Sequence, residues 1–215
     1  MPELIQVSHA YSDNDGIFLV NLARKTVDDY VSKKKKPDVP GDVPEQLTVK
    51  SGVFVTLNSI AGTHVTLRGC IGRPYPTQPL VEATIDSAVD SAVNDPRFPP
   101  VETRELDNIL VELSVLTPPK RIEYSSPLEL LDLVKVGRDG LIAARGMWRG
   151  LLLPQVPIEW HWDTEQFLEH TCNKAGLPIN AWKDPKTEFM SFQAEIFGEE
   201  TPRGNILRNP KHPRM

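Results

Sequence analysis

In LRGCIGRPYP, residues 67–76, two glycines bracket Cys70, an arginine stands on either side of them, and prolines close the run. Extended chain that enters a proline-rich turn, Pro74 to Pro79, and then meets Val81, Ile85, Ala88 and Ala92 at helical spacing reads as a strand, a turn and a helix. Upstream, Val53 and Val55 share one face of a strand over residues 51–59, Gly62 interrupts it, and residues 64–71 resume extended structure. That pattern predicts a β-hairpin. Strands joined this way, mixed with helices but without strict βαβ alternation, give the fold class: α+β, a mixed and largely antiparallel sheet with flanking helices.

Working outward, Ser12 to Asp15 offer cap side chains for a helix beginning near Gly16, with Val20, Ala23, Val27 and Val31 as its buried stripe. Lys33 to Lys36 end it. Cations there meet the negative end of the helix dipole, so the run reads as a solvated terminus rather than a nucleic-acid patch. Asn94-Asp95-Pro96 stops the second helix, and Arg97 to Pro100 is too rigid for helix or central strand. Residues 109–116 alternate Val111, Leu113 and Val115 with Glu112 and Ser114, the pattern of a half-buried strand. Short strands and tight turns are expected over 135–148, and a buried strand that ends abruptly over 150–157. Asp163 with Gln166 forms a capping-box pattern for a third helix, with Leu168, Thr171, Cys172 and Ala175 along one side and Gly176 as C-cap. One last strand is expected over 187–197, and residues 202–215 read as a loose, basic tail.

The 215 residues carry a net charge of -5, which argues against a general nucleic-acid binder and against recruitment to an anionic membrane. No apolar run approaches the ~20 residues of a membrane span. Two cysteines, Cys70 and Cys172, make neither a disulfide framework nor a paired metal site. They read as reduced thiols of a cytoplasmic protein. No cofactor motif is present.

Five segments together, LRGCIG at 67–72, DPRFPP at 95–100, RGLLLPQVP at 149–157, TCNKAGLP at 171–178 and Ala181-Trp182, resemble the AMMECR family in its prokaryotic form. The likeness runs from about residue 15 to 197, and LRGCIG, the family's defining hexapeptide, is complete. The resemblance implies a single globular unit over 1–215 made of two unequal, interleaved subdomains facing each other across a cleft. It implies no established activity. It also implies partners, since genes of the family lie beside or are fused to those of Memo-like and radical-SAM proteins.

The candidate chemistry centres on Cys70. In a regular strand Arg68 would share its face, and a guanidinium beside a thiol favours the thiolate. Glycine amides with Arg68 and Arg73 would make a small-anion or nucleotide pocket. Free cysteine is equally a small buried hydrophobe, and its glycines serve close backbone approach as well as ligand access. A base is missing: His64 shares parity with Cys70 but lies ~20 Å along an extended strand, and His161 and His170 have no defined relation to it. His170 and Cys172, two apart on a helix, diverge, so no metal site is expected. Gly69 to Gly72 spell G-x-x-G, but after a strand rather than between helices, unlike a KH loop. Arg97 and Arg149 stand in rigid loops, and Gln155 between prolines is a further cleft contact. The candidate ligand-binding set is therefore Arg68, Gly69, Cys70, Gly72, Arg73, Arg97 and Gln155, with Cys70 the catalytic candidate. Two functions fit: a non-catalytic interaction or scaffold module with the hexapeptide as keystone, or a protein that binds, or acts on, an unknown small molecule or nucleotide at Cys70.

Overall fold

The computed structural model describes residues 10–62 and 64–210. Helix α1, Asp13–Lys33, opens on Ser12, whose hydroxyl accepts the Asp15 N–H while the Asp15 carboxylate accepts the Ser12 N–H. This reciprocal cap starts the helix three residues before Gly16, and Asp13 joins the first turn, where a carboxylate suits the dipole. Lys34 ends it in the left-handed conformation, φ 55°. Strands β1, Gly52–Ala61, and β2, His64–Arg73, form the expected antiparallel hairpin, and helix α2, Leu80–Val93, follows the proline turn. Its stripe Val81, Ile85, Ala88 and Ala92 is buried.

Strand β3, Ile109–Leu116, pairs with β1 and is buried on both faces, Glu112 and Ser114 included. Alternation alone suggested a half-buried strand; a polar side chain on a strand marks a second face, not water. The chain then leaves this sheet. Strand β4 (Lys120–Arg121), helix α3 (Pro127–Leu133), strands β5 (Gly140–Arg145) and β6 (Trp148–Leu152), helices α4 (Gln155–Glu159) and α5 (Thr164–Lys174) and strand β7 (Glu188–Phe192) build a four-stranded antiparallel sheet ordered β4-β7-β5-β6 with its helices. The Asp163–Gln166 capping box opens α5. At its other end Gly176 takes φ +74°, Gly176 N–H bonds to Asn173 O and Leu177 N–H to Cys172 O, a Schellman closure.

Strand β8, Ala194–Glu199, returns to the first sheet, and β9, Ile206–Arg208, pairs with it, giving the order β2-β1-β3-β8-β9. The last strand expected over 187–197 is thus two strands in different sheets, broken at Gln193. Phe189 and Phe192, of opposite parity, are both buried. Nor are residues 202–210 loose: β9 pairs, Arg203 binds Asp28 and Asp107, and Arg208 binds Asp13 and Glu195. A tail read as polar and basic is held by carboxylates far away in sequence. Residues 211–215 lie outside the described residues.

The chain divides into two compact units, one formed up to Leu116 and again from Glu195, the other Thr117–Ala194. In the first, Val53, Val55 and Leu57 with Val111, Leu113 and Val115 pack against Leu19, Val20, Ala23 and Val27 of α1 and Ala88 and Ala92 of α2. Arg24 of α1 is buried against Glu199 of β8 and donates to Ile109 O, while Glu199 accepts Val111 N–H. In the second, Phe167, Leu168 and Cys172 of α5 cover Leu141, Ala143 and Phe189.

A candidate site on the Cys70 strand

LRGCIG lies on β2, an outer strand of its sheet. Gly69 has no room for a side chain, since a Cβ would overlap the Ser91 carbonyl of α2, and the Ile71 N–H donates to Ser91 Oγ at 2.8 Å. Gly72 leaves the space that the Phe54 ring fills. Both glycines thus serve close approach, one of helix to strand and one of a ring to the sheet. The free edge is closed by the DPRF turn: Cys70 N–H donates to Asp95 Oδ2 at 2.8 Å, and Arg97 reaches Cys70 O at 3.2 Å while its Nε and Nη2 grip the Asp95 carboxylate.

The register along β2 slips between Leu57 and Asn58 of β1: Leu57 faces Gly69, but Asn58 faces Leu67. Arg68 is the extra residue of a bulge. Its guanidinium therefore leaves the Cys70 face and pairs with Glu105, at 2.7 and 3.1 Å, and with Pro99 O. The same slip places His64, opposite Ala61, on the other face from Cys70. Arg73 turns to α2, where it holds Asp90 at 2.9 Å and Ser87 at 3.1 Å.

Cys70 instead shares its face with a different set. Thr56 sits directly opposite Cys70 on one side and Glu112 on the other, so thiol, hydroxyl and carboxylate form one row across three strands. Thr56 Oγ1 donates to Cys70 Sγ at 3.4 Å. The flanking Asn58 and Ser114 are buried, and their Nδ2 and Oγ have no hydrogen-bond partner. Burial pushes the Cys70 thiol above its ordinary value. The Thr56 hydroxyl and Arg97 oppose this, Asp95 and Glu112 add to it, and burial prevails. Arg97 above all, then the amides of Cys70 and Arg97, holds the Asp95 carboxyl at about 2. The thiol is neutral at pH 7, so this row favours hydrogen bonding over nucleophilic attack. Among the described residues no cluster of His, Cys, Asp or Glu is placed to hold a metal ion, and His170 is occupied in a stack on Trp162, centroids 3.8 Å apart.

The AMMECR1 family model matches residues 20–197, which include β1, β2 and β3 of this sheet, its hexapeptide and the inserted unit. The chain belongs to the AMMECR1 family. It is 56% identical over 199 residues to a protein of Thermococcus gammatolerans, covering 92% of this chain and 97% of the relative. It is 55% identical to Protein PH0010 of Pyrococcus horikoshii, covering 92% and 96%. The crystal structure of that uncharacterized protein PH0010 superposes with a TM-score of 0.87 at 54% identity, covering 93% of this chain and 98% of the other.

In this AMMECR1-family protein the residues singled out from sequence fall into three groups. Cys70 and Arg97 come together, with Gly69 and Gly72 shaping the strand around them. Arg68 and Arg73 do not converge on the thiol; the bulge and the helix take them elsewhere. Gln155 lies on α4 of the inserted unit, its Oε1 buried without a hydrogen-bond partner. Thr56, Glu112, Asn58, Ser114 and Asp95 escaped the sequence reading. The available signal was a glutamate and a serine in an otherwise apolar strand, which cross-strand pairing turns into neighbours of Cys70.

Proposed function

We propose that the protein is a non-catalytic interaction module of a cytoplasmic pathway, with LRGCIG as the keystone of its larger unit. One observation carries this reading: the hexapeptide's polar and steric features are engaged inside that unit. Arg68 is bound by Glu105, the Cys70 amide by Asp95 and the Ile71 amide by Ser91, and both glycines are filled against by neighbours. A neutral thiol accepting from Thr56, with no histidine on its face of the hairpin, supports the same view. The family resemblance makes Memo-like and radical-SAM proteins the partners to try first.

A second reading, a small-molecule site on the Cys70 face, is favoured by the unpartnered Asn58 and Ser114 groups. The two readings separate in a thermal-shift screen of nucleotides and anionic metabolites, run with native-state alkylation of each cysteine. An interaction module shows no ligand-dependent rise in Tm, and its Cys70 labels slowly at pH 7. A metabolite that raises Tm in the native protein but not in Thr56→Val would overturn the proposal in favour of the pocket.

A further inference from the structure

Strand β6 is the last of its sheet, so one side of it has no strand neighbour. Its loop to β5 is only Gly146-Met147, with Gly146 at φ +59°, and Arg145 and Trp148 close the hairpin as a hydrogen-bonded pair. Antiparallel pairs alternate between bonded and non-bonded. Ala143 with Gly150 and Leu141 with Leu152 are then bonded pairs, and the N–H and C=O of Arg149 and Leu151 point away from β5. Among the described residues nothing takes these four groups. The strand cannot retreat from its helix side either, where Gly150 lies against the Lys174–Ala175 backbone of α5.

The side chains along this edge suit a partner. Trp148 is 57% exposed and Met147 91%. Arg149 is exposed and, among the described residues, has no carboxylate partner. Tryptophan and arginine are the residue types that most often carry binding energy at protein interfaces. We propose that β6 is a docking edge for an extended segment of a partner protein, which adds a strand to this sheet and sets a carboxylate beside Arg149 and an apolar side chain beside Trp148. The proposal rests on the interaction-module reading and gives it a surface. A second copy of this chain fits less well. Two β6 strands paired about Gly150 would bring both Arg149 side chains onto one face as diagonal neighbours ~7–8 Å apart, with like charge.

The test is a titration of the ¹⁵N-labelled full chain with the peptide acetyl-Val-Glu-Val-Glu-Val-amide and with its lysine counterpart. The largest amide shifts are expected at Arg149 and Leu151, with the glutamate peptide binding about tenfold more tightly than the lysine one. Arg149→Glu should reverse that preference. Leu151→Pro removes an outward N–H while sparing the bonds to β5, and should abolish binding with the spectrum of Ala143 and Phe189 unchanged. Absence of shifts up to ~5 mM peptide, above the millimolar Kd expected of one added strand, overturns the proposal. So do equal responses to both peptides. Broadening of the β6 signals with protein concentration alone would assign the edge to a second copy instead. None of these outcomes touches Cys70, so failure here leaves the labelling and thermal-shift results intact.

Discussion

Cys70 illustrates how a residue's chemistry follows from its neighbours across strands. Its thiol is raised by burial, and the cation that opposes this is Arg97, not Arg68. Alkylation of native Cys70 should therefore keep rising with pH beyond the point, near ~8.5, where an ordinary thiol is half ionised. Arg97→Ala should slow it further wherever the thiol is mostly protonated, pH 7 included, and Arg68→Ala should leave it unchanged. Peptide mass spectrometry of timed samples reads both, and equal slowing by the two variants would mean that the bulge does not turn Arg68 away. Asp95 makes a pH-dependent contribution to stability. Its folded pKa, about 2, lies below its ordinary value near 3.8. The stabilisation is thus complete above pH ~4 and is lost as pH falls through about 2. Asp95→Asn should remove on the order of 1–2 kcal/mol at pH 7 and flatten the acid limb of a denaturant series between pH 2 and 4. An unchanged acid limb would place the titration elsewhere.

Among the elements, β2 and α2 meet backbone to backbone at Gly69 and Ser91. Gly69→Ala would drive a methyl into the Ser91 carbonyl, and backbone cannot swing aside, so a cost of about 3 kcal/mol or more is expected. Gly72→Ala meets the Phe54 ring, which can rotate, and the Val53 carbonyl oxygen, 2.5 Å from where its methyl would sit against 2.1 Å for Ser91 O at Gly69, so its cost should be smaller, about 2 kcal/mol. Urea unfolding of both variants checks the order, and a larger loss at Gly72 would refute it. In β7, Phe192 is buried with its ring over Gly140, while Met190 is only partly buried. Phe192→Ala should cost ~3–5 kcal/mol and Met190→Ala clearly less, by the volume each vacates. Met190, Phe192, Ala194 and Ile196 share one parity in the sequence, but the break at Gln193 puts the first pair and the second in different sheets.

For the whole molecule, the organising fact is that Thr117–Ala194 is inserted between two strands, β3 and β8, that are neighbours in one sheet. Its ends are tied by Thr117 N–H to Gln193 O and by Gln193 N–H to Thr117 Oγ1, both 2.8 Å. A segment with joined ends, its own sheet and its own core should fold alone. The fragment 117–194 is expected to show a cooperative thermal transition by circular dichroism; a featureless melt would mean that it needs the rest of the chain. Sequence by itself determined α1, α2 and α5, the β1–β2 hairpin and the antiparallel α+β class, because caps, helical stripes and strand alternation are local signals carried by a few neighbouring residues. The partition of the chain, the full burial of β3 and the company of Cys70 were decided by tertiary structure. Strand pairing joins residues dozens of positions apart, and a single bulged residue, Arg68, is enough to reverse which side chains share a face.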